Sequence, residues 1–363
     1  MKNKEEIKEI LEALIELNNL SKILDTFIPA FENSTERDGY HYLHGNFNLG
    51  SVKTGRMSSS GPNLQNIPST GSKYAKSIKH CFQAKDGWLF VGADFNALEA
   101  RIGALVTGDP EKQKVYTDGY DSHCMMAYTY WPEKMPDITP NKESINSIKS
   151  KYPDLRQASK TVSFALQYGG TAHTLVKNSG FSNEEAEAIV ERYNALYKVS
   201  KEWEQRLLTK ATNEGYVECA FGLKLRTPIL SRCILNKKST PKLAQAESRT
   251  AINAAQQSYG LLNNRANFAF MEKVYNSPYA EDILPSAQIH DSGYYIVRNN
   301  PEVVKFVNDN LISEMEWQEL EPIKHSVIAL GGELEIYYPS WAEPTIVPNN
   351  ASLSDIKIIL ENL

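Results

Sequence analysis

Two aspartates stand at positions where a carboxylate needs a partner. Asp94 ends the otherwise apolar run VGADF, and Asp291 lies at the bend of SAQIHDSGYYIV, a segment of β-prone residues. A carboxylate that ends a buried strand is unfavourable unless it is paired, caps a helix or binds a cation. Taken singly, Asp94 could cap the helix that follows, and Asp291 could be an ordinary turn residue. On neighbouring strands, the two would instead form an oxygen-rich site suited to Mg²⁺, and paired Mg²⁺ ions promote in-line phosphoryl transfer.

Four side chains recur at intervals of four residues in the segment LRQASKTVSFALQYGG. They are Arg156, Lys160, Phe164 and Tyr168. In an α-helix of about 3.6 residues per turn, each interval rotates the side chain by only about 40°, so all four share one face. Two cations followed by two aromatic rings suit a triphosphate with its base and sugar, because Arg binds phosphate oxygens in pairs and Lys acts as a point charge. The alternative is a solvated basic turn that leads into a buried aromatic pair.

The composition of the whole chain indicates a folded protein of the cell interior. Its 363 residues are 41% hydrophobic, enough for two or three domains, and the formal net charge is −5. That charge counts only mildly against nucleic-acid binding, because a local basic groove contacts phosphate. The cysteines are scattered without zinc-binding spacing, which favours reduced thiols. The N-terminus is charged and amphipathic, and no apolar run reaches the roughly 18 residues of a membrane helix, so we expect a cytoplasmic protein without membrane contact.

Helices and strands must position these residues, and hydrophobic periodicity predicts where they lie. A strand is predicted at 88–95, hairpins at 215–228 and 286–298, a short strand or two within 31–75, and a β-prone segment at 326–338. Helices are predicted at 4–27, 97–106, 155–168, 183–212, 242–275 and 301–316, whereas 107–155 is expected to be irregular because prolines interrupt it. Strands towards both ends and helices in the middle predict an α+β fold, in which a sheet domain carries a helical insertion.

The order of three segments resembles a known enzyme family. DFNALEAR, RQASKTVSFALQYGG and QIHDS resemble motifs A, B and C of the family A DNA polymerases, the bacterial polymerase I type. The segment TGRMSSSGPNLQNIP, the triplet Asp121-Ser122-His123 and the helix SRTAINAAQQ resemble further parts of that family, in the correct order along most of the chain. The resemblance implies a right-hand polymerase fold with an antiparallel palm sheet and helical fingers.

The resemblance also implies a role for each matching residue. Asp94 and Asp291 would hold two Mg²⁺ ions, for which Mn²⁺ can substitute, with the carbonyl of Phe95 as a third ligand. The implied catalytic residues are Asp94, Asp291 and Lys160, the last as proton donor to pyrophosphate. The residues implied to bind the deoxynucleoside triphosphate are Arg156, Lys160, Phe164, Tyr168, Glu99 and His123. Those implied to contact primer–template DNA are Arg56, Asn63, Gln65, Asn66, Arg249, Asn253, Gln257 and His290.

Some of these residues have implied roles in selecting the substrate. Tyr168 and Glu99 match a pair that packs under the sugar, and Phe164 matches the position that senses the 3′-hydroxyl. A bulky carboxylate at Glu99 would collide with a 2′-hydroxyl. Arg56 and Gln257 would reach the minor groove, whose acceptors look alike for all correct base pairs. The resemblance therefore predicts an enzyme that selects deoxynucleotides and checks the shape of the base pair.

One position departs from the family pattern. Most members carry Glu after the Asp of motif C, whereas this chain has Ser292. HDS is the pattern of the single-subunit RNA polymerases, so an RNA polymerase is one alternative. Glu99 favours DNA synthesis, because those enzymes carry a small residue in that part of motif A. The lost carboxylate leaves a second alternative, a catalytically weak DNA-binding subunit of a split polymerase.

The resemblance divides the chain and predicts its partners. We expect an N-terminal helix as a thumb remnant at 1–30, palm at 31–106, fingers at 107–239, and palm with a C-terminal tail at 240–363. Most of the thumb and the exonuclease domain would be absent. We therefore expect a second chain to supply the thumb and the 3′–5′ exonuclease, with a processivity factor as a further candidate partner. The isolated chain is expected to bind DNA weakly and in a salt-sensitive way.

Overall fold

The computed structural model describes residues 2–68, 71–167, 169–233 and 241–363, and side chains are described at 6–18, 20–21 and from 23 onwards within those ranges. The chain divides into two compact units. The first unit contains Met1–Asn96, Leu262–Glu316 and Gly331–Leu363, and the second contains Ala97–Leu261 and Trp317–Leu330. The predicted strand-end aspartates fall in the first unit, and the predicted nucleotide-binding face falls in the second.

The first unit is built around an antiparallel sheet. Its strands are β1 (Thr35–Arg37), β2 (Tyr40–Tyr42), β3 (Asn46–Asn48), β4 (Ser58–Ser60), β5 (Trp88–Phe95), β8 (Ile283–Ile289), β9 (Ser292–Arg298), β10 (Gly332–Tyr337) and β11 (Pro344–Val347). Its helices are α1 (Lys2–Lys22), α2 (Ile28–Glu32), α3 (Ala75–Lys79), nearly all of α13 (Leu261–Tyr275), α14 (Pro301–Met315) and α15 (Leu353–Glu361). The main sheet has the strand order β11-β10-β5-β9-β8, and every neighbouring pair is antiparallel.

Strand β5 occupies the centre of this sheet because it is apolar on both faces. Every residue from Trp88 to Phe95 is buried except Asp94. On one face, the ring of Phe90 packs against those of Tyr294 and Trp341, with centroid separations of 5.6 and 5.4 Å. A strand buried on both faces is expected to read as an apolar run. The predicted strand at 88–95 is therefore confirmed, and Asp94 is its one exposed side chain.

The second unit is mainly helical. Its helices are α4 (Leu98–Thr107), α5 (Pro110–Thr117), α6 (Ser122–Tyr130), α7 (Lys142–Lys151), α8 (Pro153–Gln167), α9 (Ala172–Ser179), α10 (Asn183–Leu196), α11 (Lys198–Glu214) and α12 (Lys242–Gln257). A short hairpin joins β6 (Tyr216–Glu218) to β7 (Lys224–Arg226), as predicted at 215–228. No helix in the described ranges combines the length and the apolar character that spanning a membrane requires.

The prediction that 107–155 is irregular is wrong, because this stretch contains α5, α6 and α7. None of its prolines lies inside an α-helix: Pro110, Pro132 and Pro153 each begin a helical element, and Pro136 and Pro140 lie between elements. Pro110 and Pro153 are the first residues of α5 and α8, where the missing amide hydrogen costs no helical hydrogen bond. The side chains of Asp109, Asp121 and Asn141 cap the helices that follow them.

Other elements differ in detail from the predicted ones. The helical pattern at 242–275 is interrupted by a 3₁₀ turn at Ser258–Gly260, which separates α12 from α13. Strand β11 and helix α15 lie beyond the predicted elements. The compact units divide at Asn96 and Leu261, not at the predicted domain boundaries of 106 and 239, so α4 and α12 group with the second unit. The assignment of palm and fingers stays a prediction.

Candidate active site

The ends of β5 and β9 bring Asp94 beside Ser292. The Cα atoms of these two residues are partners in the antiparallel register, and Ser292 Oγ donates a hydrogen bond to Asp94 Oδ1. One residue further along, the amide of Phe95 donates to the carbonyl of Asp291 over 3.4 Å. The register therefore places the two predicted aspartates at the same end of two neighbouring strands.

Asp291 lies in the tight turn between β8 and β9, after His290. His290 has a φ of 56°, which is uncommon for a residue other than glycine. Asn263, which is buried on α13, donates from Nδ2 to the carbonyls of His290 and Ser292 over 3.2 and 3.3 Å. These bonds anchor the backbone on both sides of Asp291. Sequence reasoning missed Asn263, because one Asn within a long helical pattern carries no signal of a tertiary contact.

The structure rejects the helix-cap interpretation of Asp94. The N-cap of α4 is Ala97, in a left-handed conformation with a φ of 51° and no side-chain capping bond. Asp94 is exposed at the surface, yet the protein around its carboxylate removes enough water to raise its pKa. The hydrogen bond from Ser292 and the charge of His290 lower the pKa of Asp94, whereas the negative charge of Glu335 raises it further. A positive charge near Asp94 would therefore stabilise its ionised form.

The donors at these strand ends fit a magnesium ion. The carboxylates of Asp94 and Asp291 and the carbonyl of Phe95 are all oxygen donors. In the part of the chain that the structure describes, no group of three or more His, Cys, Asp or Glu side chains is arranged to hold a metal. Two carboxylates completed by phosphate and water are a donor set that Mg²⁺ accepts, whereas zinc takes sulfur and nitrogen ligands.

Helix α8 carries the predicted basic and aromatic face. Arg156 and Lys160 are half-buried, and Phe164 is 54% exposed, so Phe164 is not part of a buried aromatic pair. The buried side of the helix consists of Ser159, Val162, Ser163 and Leu166. Tyr168 lies outside the described residues. The face of α8 thus offers two cations followed by an accessible ring.

An ion pair with Asp121 orients Arg156. Nε and Nη2 of Arg156 donate to the two carboxylate oxygens of Asp121 over 3.2 and 2.7 Å. Asp121 also accepts from the Cys124 amide at 2.9 Å and so caps α6. Burial opposes ionisation of Asp121, but the hydrogen bonds from Arg156 and Cys124 outweigh it and lower the pKa to about 2. Sequence reasoning noted Asp121 by resemblance and missed this pairing.

His123 lies in the first turn of α6, next to α8. Its carbonyl accepts a hydrogen bond from Ser159 Oγ at 2.8 Å, and its ring centroid is 6.5 Å from that of Phe164. Nδ1 of His123 is buried and has no hydrogen-bond partner among the described residues. Burial lowers the pKa of His123. The positive charges of Lys160 and Arg156 lower the pKa of His123 further, whereas the negative charge of Asp121 raises it. The three predicted triphosphate-binding residues therefore lie together on α6 and α8.

Comparison with known proteins identifies the family. The sequence model of DNA polymerase family A matches residues 1–328. This chain belongs to DNA polymerase family A. It is 33% identical over 249 residues to "DNA polymerase I, thermostable" of Thermus filiformis, covering 68% of this chain and 27% of that protein. The protein of the same name from Thermus aquaticus is 32% identical over 253 residues, covering 69% and 28%. The chain thus spans little more than a quarter of the length of these curated relatives.

A solved structure shows the family A fold. It is the POL domain of Pol1 from M. smegmatis in complex with DNA primer-template and dNTP. The TM-score is 0.70 at 23% sequence identity, covering 88% of this chain and 51% of that chain. At this identity the likeness concerns the fold alone. It confirms the predicted α+β polymerase fold with an antiparallel sheet.

Helix α12 of this family A chain carries Arg249, Asn253 and Gln257 at intervals of four, so the three share one face. Oδ1 of Asn253 is buried without a hydrogen-bond partner in the described ranges. Gly169, which has a φ of 79°, lies so close that a Cβ atom there would be 3.0 Å from Cγ of Arg249. Glycine is thus required at the end of α8 both by its backbone conformation and by the approach of Arg249.

Glu99 lies in the first turn of α4 and is half-buried. It belongs to the second unit, as do the residues of α6, α8 and α12 named above. All the described residues that the family resemblance assigns to the nucleotide therefore lie in the second unit.

The predicted DNA contacts of the first unit lie in the segment that precedes β5 and at the β8–β9 turn. Asn63 caps the 3₁₀ helix Leu64–Asn66 by accepting from the amide of Gln65 at 3.1 Å. Nε2 of Gln65 donates to the carbonyl of Gln288 on β8 over 3.5 Å, which ties the segment to the strand that leads into the turn. The predicted contacts of this unit are Arg56, Asn63, Gln65, Asn66 and His290.

Proposed function

We propose that this chain is a template-directed DNA polymerase that adds deoxynucleotides to a primer 3′ end and releases pyrophosphate. The observation that carries the proposal is the pairing of Asp94 with Ser292, which sets Asp94 and Asp291 at the ends of adjacent strands in a chain of family A. In the proposed reaction, the primer 3′-hydroxyl attacks the α-phosphorus of the incoming deoxynucleoside triphosphate. Positioning and electrostatic stabilisation supply most of the acceleration.

Asp94, Asp291 and the carbonyl of Phe95 would hold Mg²⁺, as two ions that Mn²⁺ can replace. When bound, such ions stabilise the charge on the attacking and leaving oxygens. Asn263 supports these ligands indirectly, because its bonds to the carbonyls of His290 and Ser292 hold the turn that carries Asp291.

The nucleotide would be bound by residues of the second unit. Arg156, Lys160 and His123 would contact the triphosphate, with Lys160 donating a proton to the leaving pyrophosphate. Nδ1 of half-buried His123 is itself buried and has no hydrogen-bond partner among the described residues, which supports this assignment, since such an atom is unfavourable without a ligand to bind. Phe164 would sense the 3′-hydroxyl, and Glu99 with Tyr168 would pack under the sugar and exclude a 2′-hydroxyl.

Primer–template DNA would be contacted by the residues that the family resemblance assigns to it. The proposed contacts are Arg56, Asn63, Gln65, Asn66, Arg249, Asn253, Gln257 and His290. Oδ1 of Asn253 is buried and finds no hydrogen-bond partner in the described part of the chain, which supports a contact from α12. Arg56 and Gln257 would reach the minor groove, where they can test the shape of the pair without reading its sequence.

We further propose a cytoplasmic enzyme that works with a second chain, which supplies a thumb and a 3′–5′ exonuclease, and we retain a processivity factor as a candidate partner. Exposed apolar side chains on α1 support a protein partner, because a surface helix normally covers its apolar face. The exposed fractions lie between 51% and 63% for Ile7, Ile10, Leu11, Leu14, Ile15 and Leu17.

Single-nucleotide primer extension with Mg²⁺ tests the proposal. Asp291→Ala is expected to abolish extension, whereas Asp309→Ala is expected to leave it unchanged. Asp309 is a matched control because it is exposed and its ion pair with Lys305 lies on α14. Wild-type protein that does not extend the primer, even with Mn²⁺ and a co-expressed partner, would show that the polymerase assignment is wrong.

Primer extension together with a gel-shift assay separates the two alternative functions, both of which Ser292 favours. Efficient extension with ribonucleotides would identify an RNA polymerase. Retention of primer–template DNA in a gel-shift assay without any extension would identify a DNA-binding subunit.

A further inference from the structure

Ser292 stands where the family pattern has a carboxylate, and its hydroxyl contacts Asp94 directly. It is the first residue of β9, is 9% exposed, and donates from Oγ to Asp94 Oδ1. A hydrogen bond to an ionised carboxylate is stronger than one between neutral groups. Ser292 thus supplies a neutral donor at a position where Glu would supply a further negative charge.

The charges on neighbouring strand β10 indicate why a neutral donor fits here. Glu333 is the Cα partner of Asp94, and Glu335 is the partner of Gly92, two residues earlier on β5. Paired residues in antiparallel strands project to the same face of the sheet. Three carboxylates therefore already share the face that carries Ser292, and another at position 292 would add repulsion, whereas a hydroxyl adds a hydrogen bond.

The backbone and neighbours of Ser292 hold it in place. Nδ2 of Asn263 donates to the Ser292 carbonyl over 3.3 Å. Two residues along β9, the ring of Tyr294 covers Gly92 so closely that a Cβ atom on Gly92 would be 2.7 Å from it. Tyr294 also stacks on Phe90, with ring centroids 5.6 Å apart. Because β9 is held at Ser292 itself and at Tyr294, the geometry of the bond to Asp94 is set by the fold.

We propose that Ser292 is a positioning residue that fixes one carboxylate oxygen of Asp94 and so leaves the other directed at the cation that nucleotide addition requires. The inference rests on the proposed function, in which Asp94 is a metal ligand. Ser292 itself touches neither metal nor substrate in this role, and it acts through Asp94. Loss of a hydrogen bond to a charged group changes the equilibrium or rate constant that depends on it by about 10- to 100-fold, and here these constants are the metal affinity and kcat.

The test compares Ser292→Ala, which removes the donor, with Ser292→Thr, which restores it. The matched control is Ser200→Ala in the second unit, where Ser200 Oγ donates to the buried carboxylate of Asp109 over 2.8 Å. Two properties are measured: Mn²⁺ affinity by electron paramagnetic resonance, and the kcat and dNTP KM of primer extension over a range of Mg²⁺ concentrations. Melting temperatures establish that each variant is folded.

We expect Ser292→Ala to weaken Mn²⁺ binding, to lower kcat by about 10- to 100-fold and to raise the Mg²⁺ concentration for half-maximal rate, with an unchanged dNTP KM. Ser292→Thr should recover most of each loss, and Ser200→Ala should change only the melting temperature. Mn²⁺ affinity of folded Ser292→Ala that equals the wild-type value would overturn the inference, as would a Thr variant no better than Ala. Absence of extension by the wild type would instead overturn the proposed function, and the Mn²⁺ measurement would still decide the role of Ser292.

Discussion

Replacing Asp121 by Asn tests whether a carboxylate holds the Arg156 guanidinium. Asn is about as good an N-cap as Asp, so α6 keeps its cap, but the charge that pairs with Arg156 is lost. The fall of the Asp121 pKa from the ordinary 3.8 to about 2 corresponds to about 2.4 kcal/mol in the free energy of unfolding, as the net effect of burial, of Arg156 and of Cys124 together. The two side chains are 20% and 23% exposed, so solvent screening reduces this value, and we expect a loss of about 1–2 kcal/mol.

A double-mutant cycle with Arg156→Gln, followed by urea unfolding, isolates the interaction between the two side chains. The expected coupling free energy is about 1 kcal/mol or more, because the pair is bidentate and partly buried. The exposed pair Lys305–Asp309 on α14 is the comparison, with an expected coupling of about 0.3–0.5 kcal/mol. A coupling for Asp121 and Arg156 no larger than that of the exposed pair would refute the view that Asp121 fixes the guanidinium.

The pH dependence of the same difference identifies its cause. The pKa of Asp121 is lowered in the folded state, so the stability that the pair contributes is present above about pH 4 and is lost as the pH falls through about 2. The difference in unfolding free energy between wild type and Asp121→Asn should therefore shrink over this window. A difference that stays constant down to pH 2 would mean that ionisation of Asp121 is not its source. In primer extension, Asp121→Asn should raise the dNTP KM, because Arg156 loses its preset orientation.

Three further substitutions test other assignments. Glu99→Ala should increase incorporation of ribonucleotides in a competition assay, because it removes the group that would collide with a 2′-hydroxyl, and unchanged rejection would count against the sugar-gate role. Phe164→Tyr should improve acceptance of dideoxynucleotides in primer extension, since the added hydroxyl can replace the missing one on the sugar, and unaltered dideoxy sensitivity would exclude Phe164 from that contact. Gly92→Ala should lower the free energy of unfolding in urea by about 1–3 kcal/mol, because the new Cβ atom would lie 2.7 Å from the ring of Tyr294. Tyr294→Leu in the same chain should restore part of that loss, and an additive effect of the two changes would refute the steric explanation.

Elements with a clear apolar run or hydrophobic periodicity could be predicted from the sequence. Helices whose ends are set by capping side chains could not. Strand β5 was readable as an apolar run, and its bounds match the structure. Helices α5, α6 and α7 were not, because the prolines around them indicate interruption unless the capping side chains Asp109, Asp121 and Asn141 are recognised. A proline at a first helical position and one inside a helix look alike in sequence, although only the second removes a hydrogen bond.

The sequence by itself determined which residues are candidates for chemistry: the order of the motifs singled out Asp94 and Asp291, and the interval of four set Arg156, Lys160 and Phe164 on one face. Local periodicity and residue type suffice for this, since both depend only on neighbours along the chain. Only the tertiary structure decided what surrounds those residues. The Ser292 hydroxyl on Asp94 joins residues 198 positions apart, and the Asp121 carboxylate on Arg156 joins residues 35 apart. Such contacts arise from strand register and helix packing, which bring distant residues together and which no local pattern encodes.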